Sequence, residues 1–285
     1  MTLAPRSDAP PVPAGRGAAD SGRARTAELP AGWRRVALDG VGSTNDEAKA
    51  LAAAGAGHGT VVTARRQEGG RGRRGSGWQS PEGNFYGSVI LRSGGTPQTA
   101  GQLAFVVALA LADAVHRTSG LEPGLKWPND LVLPAAGGAK ISGILLESEA
   151  GADGRIAWVV AGTGVNLTRH PQGLDRPVTD LTAAGGRSVD PEAFLAAYST
   201  ALDGWERRWR QDGFGPVRDG WLRRAVGLGG RATARLTSGT LNGVAEGLAE
   251  DGALVLRLAD GTSRRIAAGE VFFGPPPARP AGTPG

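Results

Sequence analysis

Residues 67–84, QEGGRGRRGSGWQSPEGN, hold the densest group of side chains able to do chemistry in this sequence. Arg71, Arg73 and Arg74 alternate with Gly70, Gly72, Gly75 and Gly77, and Trp78, Pro81 and Gly83 follow. Glycine permits positive φ and close approach of backbone to a ligand. Arginine presents a planar, permanently charged fork that suits phosphate or carboxylate. Three guanidinium groups would each need a partner if buried. The stretch therefore reads as a loop that meets an anion, or as solvated coil. Gly70, Gly72 and Gly75 spell G-x-G-x-x-G, but a dinucleotide site requires a helix directly afterwards. Gly77, Pro81 and Gly83 break any helical pattern there, so the dinucleotide reading is rejected.

Other polar groups sit where regular elements begin or end. Residues 33–38 and 59–64 read as strands, and between them DGVGSTNDE (39–47) opens an alanine-rich helix reaching residue 54. Ser43 or Thr44 can cap that helix, and Thr44 with Glu47 fits a capping box. The other reading is that Ser43, Thr44 and Asn45 present hydroxyl and amide groups at a helix N-terminus, a polar binding site. Local sequence favours the plain cap.

Residues 85–91 form a strand of β-formers, and 98–117 an apolar helix that must be deeply packed. LKWPNDLVL (125–133) reads as a strand broken by Pro128, with Lys126 on one side and Asn129 and Asp130 on the other. Lys140 opens a further apolar strand, 140–148, and Gly143 lies within it. Residues 156–160 and GTGVNL (162–167) complete an antiparallel meander with polar residues at its strand ends. Residues 190–211 form an amphipathic helix with Asp190 as cap and Pro191 first. Its Phe194, Leu195, Tyr198, Leu202, Trp205 and Trp209 share a core-facing side. From residue 231 short alternating strands are separated by Ser-Gly and Asp-Gly turns, which predicts a small β-barrel ending near Phe273.

The 285 residues suffice for one large or two ordinary domains, and 40% hydrophobic content supplies a sizeable core. There is no cysteine, which excludes disulfides, thiolate catalysis and Cys-type zinc, and fits a reducing cytoplasm. His58, His116 and His170 lie far apart without metal-ligand spacing, so no metal site is expected. The net charge of +5 suits an anionic partner. No run of about 18 apolar residues is present, so no transmembrane helix is expected. Residues 1–30 and 275–285 read as disordered tails rich in Pro, Gly, Ala and Arg, and the first leaves no room for a DNA-recognition helix.

Five motifs occur in a fixed order: GRGRRG, W-x-SPxGN, KWPND, K-x-x-GIL-x-E and G-x-G-x-N. In this they resemble the biotin–protein ligase family, over roughly residues 36–273. The resemblance implies an α+β fold. A class II aminoacyl-tRNA synthetase-like catalytic domain of mixed sheet and helices (31–228) would precede an SH3-like β-barrel (229–274). It implies a cytoplasmic enzyme that activates biotin with ATP and Mg²⁺ to biotinyl-5′-AMP and then biotinylates one lysine of a carboxylase's biotin carrier domain.

By motif, Ser43, Thr44, Asn45, Gln67, Arg71, Gly72, Arg73, Lys140 and Gly143 would bind biotin. Arg73, Lys126, Asn129, Lys140, Asn166 and Arg169 would bind the nucleotide. Arg73, Lys140 and Asp130 would be catalytic, with Asp130 near the arriving lysine. Trp78 packs beneath the loop or in the core, and Glu147 is read as a structural pair. The monofunctional type is implied: a monomer or weak homodimer with no specific nucleic acid and no membrane partner. Ser76 and Gly77 depart from relatives that carry a further basic residue there. A lipoyl or octanoyl ligase of the same fold, and a biotin-responsive transcriptional regulator, are the alternatives.

Overall fold

Alternating and β-branched runs pair into a seven-stranded sheet, as their propensity dictates. The computed structural model describes residues 26–274. The expected tails lie outside that range except for residues 26–30, as does the expected lack of a recognition helix. Those five residues are coil, yet Ala27 and Leu29 pack against the core, and the Ala27 N–H donates to Glu192 Oε2 at 3.0 Å. Packed chain therefore begins before the tail boundary expected at residue 30.

The first unit runs β1 (Arg34–Val41), α1 (Thr44–Ala53), β2 (Thr60–Gln67), β3 (Phe85–Leu91), α2 (Pro97–Ser119), β4 (Gly124–Lys126), β5 (Asp130–Leu133), β6 (Ala139–Ala150) and β7 (Ile156–Val165). The strand order is β1-β2-β3-β7-β6-β5-β4. Only β1 and β2 pair in parallel, joined through α1, and the remaining pairs are antiparallel. Side chains alternate across a sheet. Accordingly Val62, Ile90 and Val160 meet Ala48 and Ala52 of α1, whereas Val61, Val89, Leu91 and Val159 join the main core with α2. All seven residues of β3 are buried, as a central strand covered on both faces must be.

Thr96 caps α2, and Gly120, at φ +81°, ends it. α2 matches a membrane span by length and composition alone, and 67% of that window is buried inside the protein, in keeping with the deeply packed helix expected there. Its cover includes α3 (Pro191–Asp212), whose Phe194, Leu195, Tyr198 and Leu202 are buried as expected. Trp205 and Trp209 seal its edge, donating through Nε1 to Asp113 Oδ2 (2.6 Å) and Gln102 Oε1 (2.9 Å). Asp190 stands at the cap position of α3 but makes no side-chain cap bond. A further helix, α4 (Phe214–Leu222), escapes the sequence reading because Gly215, Pro216 and Gly220 obscure its pattern. Burial of Phe214, Val217 and Trp221 forms it nonetheless.

The proline-broken strand expected at 125–133 is instead a hairpin. Lys126 faces Asp130 across it, and the cis peptide Trp127–Pro128 lies in the reversal. The tight turn removes any need for Pro128 to donate to a ladder.

The second unit contains β8 (Arg231–Leu236), β9 (Gly239–Leu248), β10 (Leu254–Leu258), β11 (Ser263–Ile266) and β12 (Glu270–Phe273), ordered β11-β10-β9-β8-β12 and wholly antiparallel. Only β12 was not foreseen. The unit docks tightly on the first. Trp127 Nε1 donates to Gly252 O at 3.2 Å, and Arg218 Nε to Leu248 O at 2.9 Å. The Phe105 ring fills the space a Gly252 Cβ would need, 2.7 Å away, and packs against Phe214 and Trp221. Phe105→Ala should therefore cost about 3–5 kcal/mol, read by chemical denaturation; a loss below about 1 kcal/mol would mean that this ring does not hold the two units together.

Candidate active site

A 490 Å³ cavity opens where α1, the loop after β2, the β4–β5 hairpin, β6 and β7 meet, and the turn into β12 closes one side. That size suits a small-molecule site. Ser43, Thr44, Asn45, Gln67, Arg71, Gly72 and Arg73 line it, as do Lys126, Asn129, Asp130, Lys140 and Gly143. Segments distant in sequence thus converge on one space.

One end of the cavity is a hydrogen-bond network. Thr44 does not form the expected capping box; its N–H and Oγ1 both reach Gln67 Oε1, at 2.9 and 3.1 Å. Ser43 holds the cap position without a side-chain cap bond. Gln67 Nε2 donates to Ser80 Oγ at 2.9 Å. The fully buried Ser88 donates to Asn45 Oδ1 at 2.6 Å and lies 2.8 Å from Thr44 Oγ1. Asn45 Nδ2 donates to Glu147 Oε2 at 2.7 Å, and Lys49 Nζ to Glu147 Oε1 at 2.6 Å. Burial pushes the Glu147 carboxyl up, but hydrogen bonds from Lys49 and Asn45 outweigh it and leave it below its usual range. Lys49 also meets Asp46, 3.1 Å away. The chain of contacts ends in a two-pronged pair from Arg71 to Asp46, at 2.6 and 2.7 Å.

The other end carries charge. Lys140 Nζ lies 2.5 Å from Asp130 Oδ1, and its side chain is only 12% exposed. Burial pushes its ammonium below the usual lysine range; Asp130 pulls it back, and Arg176 and Lys126 add to the lowering. Arg73 Nη1 donates to Asn129 Oδ1 at 3.2 Å and Nη2 to Gly269 O at 3.4 Å, which ties the loop to the second unit. Burial, then the neighbouring Arg74, lowers the Arg73 guanidinium. Asn129 is itself fixed, its Nδ2 donating to Ile144 O at 2.8 Å.

The floor between these ends is backbone. A Cβ on Gly162 would fall 2.0 Å from Asn45 Oδ1, and one on Gly164 would fall 2.5 Å from the Trp78 indole. Gly143 pairs with Gly164 across β6 and β7 and lies under the same ring. Trp78 therefore packs on the sheet beneath the loop, with Lys140 Nζ 5.5 Å from its ring centre. The glycine loop is a folded-back excursion bridged at Gln67–Ser80 and Arg71–Gly77, not free coil. Ser76 closes its tip: its carbonyl accepts from Gly72 N–H at 2.6 Å, and its Oγ donates to Arg73 O at 3.0 Å.

Residues 41–166 match the model of the biotin/lipoate A/B protein ligase family, and residues 227–274 that of the biotin protein ligase C-terminal domain. The biotin–[acetyl-CoA-carboxylase] ligase of Paracoccus denitrificans is 42% identical over 240 residues, covering 81% of this chain and 97% of that protein. The chain belongs to the biotin protein ligase family. The fold agrees with that of the Aquifex aeolicus biotin protein ligase in complex with biotin and ATP (TM-score 0.73, 24% identity, 84% of this chain and 99% of that one). The Leishmania major biotin protein ligase in complex with biotinyl-5-AMP aligns with TM-score 0.58 at 26% identity, over 82% of this chain and 98% of that one.

Within this biotin protein ligase fold, two residues expected at the nucleotide do not line the cavity. Asn166 is 1% exposed and donates through Nδ2 to Thr179 O at 3.0 Å, so it braces the following segment. Arg169 is exposed beyond the cavity rim. Asn84 directs that turn: its Oδ1 accepts from the N–H groups of Leu167, Thr168 and Arg169, and its Nδ2 donates to Arg169 O. The final Asn of W-x-SPxGN was a usable signal for this role. Ser88, Lys49 and Asp46 were missed because the partners that place them here, Asn45, Glu147 and Arg71, lie 43, 98 and 25 residues away; Arg176 was missed because it lines the cavity outside every motif.

Hydrogen bonding from Arg71, the largest influence, holds the Asp46 carboxyl at about 2. A depressed carboxyl adds stability above its ordinary pKa and loses it as pH falls through the folded value, so the latch is intact at neutral pH. The pair is partly exposed and worth up to about 1 kcal/mol. Asp46→Asn should therefore speed tryptic cleavage at Arg73 and Arg74 about two- to fivefold; an unchanged initial cleavage rate would show that the pair does not restrain the loop.

Proposed function

We propose that this protein activates biotin with ATP to form biotinyl-5′-AMP and transfers the biotinyl group to a lysine of a carboxylase's biotin carrier domain. One observation carries the reading: a single cavity joins a neutral hydrogen-bonding end to a cationic end, inside the fold of a family whose 42%-identical member is a biotin–[acetyl-CoA-carboxylase] ligase. The supporting fold reading is a class II aminoacyl-tRNA synthetase-like domain, residues 31–228, followed by an SH3-like module, residues 229–274. A mixed sheet backed by helices and a small five-stranded antiparallel sheet are consistent with it.

The bicyclic ring of biotin carries a ureido group, with two N–H donors and one strong acceptor oxygen. Ser43, Thr44, Asn45 and Gln67 offer both kinds of partner at one end of the cavity. Trp78 and the glycine floor offer flat apolar contact to the ring and its chain. The carboxylate then lies toward Lys140 and Arg73.

In the first step a carboxylate oxygen forms a bond to the α-phosphorus, and the bond from that phosphorus to the bridging oxygen breaks. Pyrophosphate departs. Two anions must approach, and fixed cations in a site of low dielectric stabilise that transition state most. Lys140 and Arg73 face the reacting groups, with Lys126 and Asn129 alongside. In the second step the neutral amine of the carrier lysine attacks the acyl carbon. An amide forms, the bond to the AMP oxygen breaks, and the amine loses a proton. Asp130, already hydrogen-bonded to Lys140, is the carboxylate nearest that event. The glycine loop excludes water from the anhydride between the steps.

Magnesium belongs to this reading as a companion of the nucleotide. Among the described residues no three carboxylates or imidazoles converge on one point. A metal carried by phosphate oxygens needs only one or two protein carboxylates, and Asp130 and Glu270 both line the cavity. When bound it would neutralise phosphate charge. The setting we favour is cytoplasmic, which suits a chain without cysteine, with the protein a monomer or weak homodimer.

Lys140→Ala should lower biotin-dependent pyrophosphate release by about 10²–10³-fold, the scale of a lost transition-state donor; wild-type rates would remove Lys140 from this role. Wild-type protein offered biotin, lipoate and octanoate in parallel should release pyrophosphate with biotin alone. Equal or faster release with lipoate or octanoate would overturn the biotin assignment in favour of that branch of the family.

A further inference from the structure

We propose that Arg176 binds the β- and γ-phosphates of the nucleotide and accompanies them as pyrophosphate leaves. The inference rests on the adenylation reading above. Arg176 lines the cavity but lies outside every motif of the chain.

Its backbone is placed with care. Residues 177–179 run beside the start of β6 like an added strand. Lys140 N–H donates to Pro177 O at 2.9 Å, Thr179 N–H donates to Lys140 O at 3.0 Å, and Val178 bridges to Lys140 in parallel. Asn166 Nδ2 donates to Thr179 O at 3.0 Å, and Leu181 N–H donates to Asn166 O at 3.1 Å. Asn166 thus clamps this segment through its side chain and its carbonyl. Arg176 stands at its leading end, and its charge is felt at Lys140.

The charge arrangement separates Arg176 from most of its neighbours. Arg71 is held by Asp46, Lys140 by Asp130, and Arg73 by Asn129 and Gly269. Among the described residues, Arg176 has neither a hydrogen-bond partner nor an ion-pair partner within 4.0 Å. Lys140, Lys126, Arg176 and Arg73 crowd one end of the cavity against two carboxylates, Asp130, which is tightly engaged, and Glu270. That excess of cation fits a polyanion better than the single charge of a biotin carboxylate. Lys140 and Arg73 face the reacting carboxylate and α-phosphate. In an in-line displacement the leaving group exits opposite the attacking oxygen, so a separate cation is needed there. A guanidinium fork can hold two phosphate oxygens at once, which a lysine point charge cannot do.

Full-length wild-type protein, Arg176→Ala, Arg176→Lys and the control Arg264→Ala, an exposed arginine on β11 outside the cavity lining, would be compared in biotin-dependent adenylate formation. Inorganic pyrophosphate serves as product inhibitor and, separately, as the ligand in calorimetry. Arg176→Ala should raise the KM for ATP and the Ki and Kd for pyrophosphate about tenfold, the scale of a lost charge-assisted hydrogen bond. The KM for biotin should not move. Arg176→Lys should recover part of the loss, and Arg264→Ala should behave as wild type. Unchanged pyrophosphate binding would overturn the proposal. So would a rise confined to the KM for the carrier domain, which would place Arg176 on the docking face for the protein substrate. Wild-type protein that makes no adenylate from biotin yet still binds pyrophosphate through Arg176 would refute the adenylation reading and leave this anion site standing.

Discussion

A lysine ammonium buried beside one carboxylate sets the terms for the rest of the site. Burial lowers the Lys140 pKa, and Asp130 opposes that shift. An uncompensated charge in that position would be costly. The pair in turn demands register. Asp130 comes from the start of β5 and Lys140 from the start of β6, and the two strands pair with a shift between Leu131 and Val132. One residue of slip would turn one of the two side chains to the other face of the sheet. The β4–β5 hairpin, with its Trp127–Pro128 reversal, delivers Asp130 at the point where Lys140 enters. Trp127 also donates to Gly252 of the second unit, so the same turn that sets the charge pair fastens the two units together.

From the opposite end, a continuous set of polar contacts runs from Gln67 through Thr44, Ser88, Asn45, Glu147, Lys49 and Asp46 to Arg71. Its members come from β2, α1, β3 and β6. Buried polar groups of this kind stabilise only when each finds a partner, and here the partners also fix the orientation of Thr44 and Asn45 toward the cavity. The network places the restraint on the glycine loop, through Arg71, in mechanical contact with the groups that would recognise the ureido ring. A ligand that re-aims Thr44 or Asn45 acts on the same chain of bonds that ends at the loop.

How much of this was legible in the sequence depends on the range of the interactions. The strands, α2, α3 and the hairpin turns of the second unit were readable because alternation, helical spacing and Asp-Gly pairs are local signals. The order of the five motifs located most of the lining. Thr44 with Glu47 was misread as a capping box because the local rule fits well; only the three-dimensional neighbour, Gln67, shows where the hydroxyl goes. Pro128 marked a break in the strand read over 125–133, but only the structure shows that the break is a turn that brings Lys126 opposite Asp130. Asn166 was assigned to the nucleotide by its motif; here it is buried outside the cavity lining and its Nδ2 donates to Thr179. Ser88 carries no local signature at all, since its meaning lies in its partners Thr44 and Asn45 on α1.

The small C-terminal sheet shows why the two units cannot be treated as enzyme and appendage. Gly269, Glu270, Val271 and Phe272 line the cavity. Arg73, the loop residue nearest the charged end, reaches the carbonyl of Gly269. Gly269 lies between β11 and β12, directly before the short strand that sequence periodicity did not reveal. On the proposed mechanism the loop excludes water from the anhydride, and such a loop needs a surface to close against. The first unit supplies the floor and the charged wall, and the second supplies the remaining edge. Packing of Phe105 against Gly252 helps seat the second unit on the first. The contacts that seat the second unit are then also the ones that present Gly269 to Arg73.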